Sequence, residues 1–268
     1  MSDMVGQSGQ NSGKPAREQR NSTADRALDI LALFDEQTLI LGGQEVATRL
    51  GVARSTAYRY LQSLVNARFL EEQPRIGFRL GPRVFELARL ARMGLGLSEI
   101  ALPVMEELSA RLGRTILLTK RSGTSVVCVE RVSASGAVQL SYERGQVLPV
   151  NAGASALALL AWTPEDEVHR IALAGLPRLT EHSVTDVESL DARLAHIREL
   201  GYAVSRGELD PDVLGVAAPI VADGGRVAAA LSATSLSHRT PDDQVPSLAA
   251  AVVEAARRIG EQLALTSA

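Results

Sequence analysis

Cysteine is almost absent from this 268-residue sequence, in which Cys128 stands alone. That excludes an intrachain disulfide and a cysteine-built metal site, and a reducing cytoplasm is the simplest address. Long apolar runs are missing too. No stretch reaches the roughly 18 residues that suggest a membrane span, so no membrane partner is expected. Residues 1–21 are rich in Ser, Gly, Gln and Asn and hold no apolar segment. They read as a disordered arm and not as a secretory signal. The chain also lacks a strong charge of either sign, with a net of −3, which by itself argues against a generic nucleic-acid binder.

The distribution of charge says more than its total. Residues 1–92 carry 13 Lys/Arg and 10 Asp/Glu, whereas the remainder carries 15 and 21. A mildly basic front joined to an acidic rear suits contact with DNA at one end only. The length favours two domains.

After the arm, Ser22 or Thr23 caps a helix starting near Ala24, with Ala24, Ala27, Leu28, Leu31 and Phe34 at helical spacing as its expected buried stripe. A second helix, about Gln44 to Leu50, buries Val46, Ala47 and Leu50. Gly51 follows where a left-handed cap wants glycine, and Val52 supplies the apolar contact beyond it. A third helix runs from about Ala53 to Asn66. Ala57, Leu61, Leu64 and Val65 form its inner face, leaving Arg54, Ser55, Tyr58, Arg59 and Gln62 outside. Small Ala47 and Ala57 on either side of Gly51 let the two helices pack closely, as in a helix-turn-helix whose second helix enters the major groove. Arginine there can bond guanine edges or phosphates, and the hydroxyls can bond phosphates.

Phe69-Leu70 and Phe78-Arg79-Leu80 flank a segment holding Pro74 and Gly77, which reads as a hairpin and hence a wing. Arg75 near its tip is either a groove or backbone contact or a plain surface charge. Gly81-Pro82 ends the hairpin, and a linker helix from about Arg83 to Arg92 follows, broken by Gly94 and Gly96. Its apolar stripe (Val84, Leu87, Ala88, Ala91) asks for a partner that a second copy of the chain would supply.

The rear two-thirds alternates helices (97–112, 151–161, 164–174, 186–200, 241–263) with strands (115–120, 126–132, 138–142, 202–205, 213–220, 227–233). This indicates an α+β domain with a mostly antiparallel sheet. Catalysis is poorly supported. His169, His182, His196 and His238 are scattered without ligand spacing, Gly224-Gly225 is a turn and not a phosphate loop, and Ser155 sits between alanines and not glycines. Cys128 lies in an apolar strand as a buried thiol. Neither a cofactor nor a metal is expected. The small residues Asn151–Ala156 open a helix, where they either expose backbone amides to a ligand or simply allow tight packing.

In order and spacing, several stretches together resemble the IclR family of transcriptional regulators over about Ala24 to Leu263. They are Asp25–Leu31, Arg54–Arg59, Phe78–Gly81, Leu148-Pro149, Gly201–Ala203, Glu208 and Ala217–Pro219. The resemblance implies a winged helix-turn-helix (22–81), a linker helix (82–96) and a GAF-like effector-binding domain (97–268), assembled as homodimers or dimer pairs. It implies control of a metabolic operon through a small organic acid or aromatic effector. The family's effector pocket maps onto Ala154, Ser155, Ser205, Gly215, Ser232 and Thr234. The sequence departs from the family pattern at Asn151, Ala156-Leu157 and Asp212. Small, uncharged Ser205 and Gly215 stand where binders of small keto-acids carry an acid and a cysteine, which favours a larger or less polar ligand.

The expected reading is a non-enzymatic regulator of double-stranded operator DNA. Arg54, Ser55, Thr56, Tyr58 and Arg59 face the operator, Gln44 clamps phosphate from the preceding helix, and Arg75 acts from the wing. The rivals are a pocket-bearing enzyme with an accessory winged helix, with Glu130 and Glu208 as its titratable candidates, and a winged helix that contacts protein.

Overall fold

The computed structural model describes residues 23–134 and 142–266, so the expected arm and most of the expected strand 138–142 lie outside the described residues. The chain divides between Ala91 and Arg92 into two compact units.

In the first unit, α1 (Thr23–Leu31), α2 (Gly43–Leu50) and α3 (Arg54–Asn66) precede a hairpin of β1 (Leu70–Gln73) and β2 (Gly77–Leu80). The core gathers Ile30, Leu41, Val46, Ala47, Ala57 and Leu61 with the hairpin's Leu70 and Phe78. Gly51 caps α2 at φ 65°, ψ 35°. The Val52 N–H reaches back to the Ala47 carbonyl at 3.0 Å, which closes the turn as a Schellman motif does. The expected stripe of α1 needs correcting. Leu28 is 64% exposed, and Ile30 is the fully buried anchor, packed into the cluster with Val46, Ala57 and Leu61, because α1 is little more than two turns long and its tertiary contacts outweigh its period. Leu41 pairs with Phe78 as an isolated bridge, adding a third short segment to the edge of the hairpin.

The hairpin is tied back to the end of α3. The Gly81 N–H donates to the Phe69 carbonyl at 2.7 Å and the Arg83 N–H to the Arg68 carbonyl at 3.1 Å. A Cβ at Gly81 would lie 2.4 Å from the Arg68 oxygen, so only glycine permits this approach. From there α4 (Pro82–Leu95) departs, with Glu86 paired to both Arg68 and Arg83. The helix runs through Gly94 and stops at Gly96 (φ 56°). The expected break at Gly94 is thus corrected, since one interior glycine costs a helix only about 1 kcal/mol.

In the second unit a six-stranded, wholly antiparallel sheet has the order β5-β4-β3-β8-β7-β6. Its strands are β3 (Thr115–Ser122), β4 (Ser125–Ser133), β5 (Val147–Pro149), β6 (Ala203–Arg206), β7 (Val213–Val221) and β8 (Val227–Leu236). On one face lie α5 (Leu97–Leu112) and α9 (Val245–Thr266), which bury Ile116, Leu118, Val216, Ala218, Leu231 and Ala233. On the other face lie α6 (Ala154–Leu160), α7 (Glu165–Leu173) and α8 (Val187–Leu200), over Leu117, Ala217 and Ala230. Period-2 alternation assigns each strand residue to one core or the other. The central strands therefore read as continuous apolar runs, because both faces are covered.

Candidate functional site

The first unit presents a polar surface along α3. Arg54, Ser55 and Arg59 are exposed, and Thr56 is half-buried. Ala53 caps α3 without a side-chain bond, so the first-turn amides are not taken up by a cap. The same holds for Gly42 at the start of α2, beside exposed Gln44. Arg75 is exposed at the hairpin tip with φ 67°, a left-handed conformation that a non-glycine residue adopts at a tight turn. Glu71 is engaged by Arg79 at 2.7 Å.

Tyr58 has a second task that its spacing did not reveal. Its ring meets Phe78 edge-on, with centroids 6.0 Å apart and planes at 75°. The Arg54 guanidinium lies 5.4 Å from the Tyr58 centroid. A Cβ on Gly43 would fall 2.5 Å from two of the ring carbons. The ring is thus wedged between α2 and the hairpin, while Arg59 lies over Tyr60 at 5.7 Å.

In the second unit the register of the sheet assembles a small cavity of about 40 Å³ under the start of α6. Ser205 pairs with Gly215, Gly215 with Thr234, and, one layer along, Ala217 with Ser232 and Ser232 with Leu117. Ala154 and Ser155 close the cavity from above, so all six positions expected to form a pocket lie around one space. Gly215 sets the height of that space, since a Cβ there would come within 3.2 Å of Ala154 Cβ. Hydroxyl chemistry dominates the floor. Ser155 Oγ donates to Ser232 Oγ at 2.9 Å, and Thr234 Oγ1 donates to the Thr115 carbonyl at 3.2 Å.

Other parts of the wall were not found from the sequence. Tyr142, Leu148 and Ala152 line one side, and Leu209, Asp210 and Val213 line another. Tyr142, Ala152, Leu209 and Asp210 sit on loops, where no periodic signal marks them, while Leu148 lies in the short β5 and Val213 opens β7. Tyr142 is buried, and its phenol is pushed up to about 12 by desolvation first and the Asp210 charge second.

Behind the cavity, Glu208 is 6% exposed and accepts from Arg193 at 3.1 Å. Burial pushes its carboxyl above the usual range, while the Ser205 hydroxyl, Arg193 and the Gly153 amide pull it back. Asn151, fully buried, donates to the carbonyls of Pro177 (3.1 Å) and Val184 (2.9 Å), which fastens the loop between α7 and α8. Cys128 is buried, and desolvation raises its thiol to about 11, which leaves it unreactive at neutral pH. Glu130 is buried and paired with Arg144. Among the described residues no three His, Cys, Asp or Glu side chains gather to hold a metal ion, and no helix is long and apolar enough to cross a membrane.

Two family models match the chain. The IclR helix-turn-helix domain covers residues 23–74, and the C-terminal domain of bacterial IclR transcriptional regulators covers residues 90–261. The HTH-type transcriptional regulator XynR of Escherichia coli is 32% identical, over 83% of this chain and 89% of its own. A crystal structure described as an IclR transcriptional regulator from Silicibacter matches with a TM-score of 0.82 at 27% identity, covering 91% of this chain and 96% of that one. An IclR homolog from Microbacterium hydrocarbonoxydans, crystallised with 4-hydroxybenzoate, is 31% identical with a TM-score of 0.77, covering 90% and 99%. The relatives bear the names of DNA-binding regulators and not of enzymes. With a helix-turn-helix in the first unit, a two-faced antiparallel sheet domain in the second and both family models matched in order, this chain belongs to the IclR family of DNA-binding transcriptional regulators.

Proposed function

We propose that this regulator holds its operator through α3 and the wing, and that a small organic effector in the cavity beneath α6 controls the affinity. The winged helix-turn-helix spans 22–81, the linker helix 82–96 and the effector domain 97–268. Arg54, Ser55, Thr56 and Arg59 read base edges or phosphates, with the Tyr58 hydroxyl at the edge of that face. Gln44 and the uncapped amides of α2 clamp phosphate, and Arg75 works from the wing. The protein acts in the cytoplasm as a homodimer or pair of dimers, because one small winged helix covers little DNA.

One observation carries the effector reading: Ala154, Ser155, Ser205, Gly215, Ser232 and Thr234, drawn from four separate elements, surround a single cavity. A relative binds 4-hydroxybenzoate, which supports an organic acid or aromatic compound as the effector class.

The test is binding to the promoter region beside the protein's own gene, across a salt series and a panel of such compounds. A log–log salt slope of about −0.9 per neutralised phosphate is expected, together with a footprint that shifts with one compound. Affinity that ignores salt would sink the DNA contacts, and a footprint indifferent to every compound would sink the effector reading.

A further inference from the structure

The cavity beneath α6 shares a donor with a carboxylate of the protein itself. Glu208, on the loop between β6 and β7, is 6% exposed. Its Oε1 accepts from Arg193 Nη2 at 3.1 Å, whereas Oε2 is buried with no hydrogen-bond partner among the described residues. The Ser205 hydroxyl and the Gly153 amide are the next donors, close enough to stabilise the ionised form. Both of these residues also line the cavity. A serine hydroxyl has one proton to give, so Ser205 serves Glu208 or a ligand and not both.

Arg193, on α8, is compensated by the same carboxylate. Its Nη2 is divided between Glu208 and the Val204 carbonyl, and its Nε is buried without a partner among the described residues. The ionised pair is neutral as a whole. With Glu208 protonated the guanidinium keeps its charge, and the region behind the cavity becomes net positive. Two other titratable groups face this region. His182, on the loop before α8, adds an attractive charge, and Asp210 lines the cavity from an exposed position. Glu208 is also held in place, because Ser183 Oγ and Thr180 Oγ1 donate to its main-chain carbonyl at 3.0 and 3.3 Å. A charge arriving in the cavity therefore meets a carboxylate whose backbone is pinned.

We propose that Glu208 is a built-in competitor of the effector: a carboxylate ligand entering the cavity claims the Ser205 proton, and Glu208 responds by taking up one proton from solvent. The inference rests on the cavity being the effector site and adds control of that site by pH. In the empty site at alkaline pH, Glu208 is ionised and Ser205 donates to it. In the liganded site a second negative charge stands on the other side of Ser205, and two carboxylates around one donor repel each other too strongly for both to stay ionised. The proton settles on Glu208, which then donates where it offered only lone pairs, and Ser205 turns its own proton to the ligand. The Arg193 charge, no longer balanced, adds its attraction. Carboxylate affinity is then greatest at low pH and falls as pH climbs, by at most about tenfold per unit.

Titration calorimetry on the full-length protein tests this with one short and one aromatic carboxylate, propanoate and 4-hydroxybenzoate. Buffers of different ionisation enthalpy, from about pH 6 to about pH 9, count the protons taken up on binding. Wild type takes up between about half and one proton per ligand at some pH in that range, and its affinity falls at least about tenfold across it. Glu208→Gln keeps an acceptor for Arg193 and removes the titration, so it takes up none and retains the tighter affinity at the alkaline end. His182→Gln leaves the uptake as it is. Ser205→Ala removes the shared donor without touching the ion pair and lowers the uptake, an independent reading if Glu208→Gln does not fold.

Binding without proton uptake in wild type overturns the inference and leaves the effector site standing. Uptake that survives in Glu208→Gln, vanishes in His182→Gln or is undiminished in Ser205→Ala overturns the role of the Glu208–Ser205 pair. If neither carboxylate binds at any pH, or if Leu209→Trp, which enlarges a lining side chain, leaves binding intact, the effector-site reading falls with the inference.

Discussion

Replacing Gly43 with alanine tests whether Tyr58 is a structural wedge as well as a surface residue. The new methyl carbon would sit 2.5 Å from Tyr58 Cε2 and Cζ. Non-bonded carbons settle at about 3.5 Å, so the ring must retreat by about 1 Å, which forfeits a quarter to a half of each contact it had. The edge-on partnership with Phe78 is worth about 0.5–1.5 kcal/mol. Against that stands the helical gain of Gly→Ala, at most about 1 kcal/mol and less in a first turn. The expected net effect is a loss of at most about 1 kcal/mol, since Tyr58 is 37% exposed and the outer end of its ring can yield. In a Tyr58→Ala background the clash vanishes, and the same substitution becomes neutral or stabilising. The coupling between the two sites is then about 1–2 kcal/mol. Hydrogen exchange of the α2 and α3 amides in the full chain reads this directly, because it reports local opening whatever the second unit does. Equal destabilisation in both backgrounds would refute the wedge.

Other predictions address the DNA face, the sheet and pH. Arg59→Ala should cost about 1–3 kcal/mol of operator binding by fluorescence anisotropy if the guanidinium reads a base, and unchanged affinity removes it from the interface. Gly260→Ala would place a Cβ 2.4 Å from the Val221 carbonyl oxygen. The overpacking penalty of about 1–3 kcal/mol outweighs a propensity gain of about 1 kcal/mol, so the urea midpoint followed by Trp162 fluorescence should fall; a midpoint that rises contradicts the close approach of α9 to β7. His169 bonds Asp191 at 2.9 Å, which raises its pKa above the ordinary 6.5. Its contribution is therefore complete below 6.5 and fades as pH climbs through the folded value. His169→Gln should lower the melting temperature at about pH 5.5 and leave it unchanged at about pH 9, and a deficit confined to alkaline pH would reverse the sign of this account.

The parts of this fold that could be read from the sequence are those governed by neighbours in the chain. Gly51 with Ala47 and Ala57 announced the tight helical pair, and the extent of α5 followed from its apolar period and the glycines around it. Failures arose where distant contacts decide. Leu28 and Ile30 are both apolar and two residues apart, and only packing against α3 separates the exposed one from the buried one. Leu41 carries no strand signal until Phe78 lies beside it. The six cavity positions came from the family resemblance, because the row Ser205–Gly215–Thr234 exists only once the strand register is set. Asp210 and Tyr142 were missed for the same reason, being loop residues whose importance is purely spatial.

The backbone approach at Gly81 makes the recognition helix and the outgoing helix a single lever. With the Gly81 and Arg83 amides bonded across to Phe69 and Arg68, and Glu86 gripping two arginines, there is no loose joint between the end of α3 and the start of α4. A torque applied to α4 turns α3 with it, the way a handle turns a key. On the proposed reading, operator affinity would be regulated by aiming an unyielding reading head and not by melting or bending it. A substitution that loosens Gly81 would leave effector binding intact while uncoupling it from the DNA.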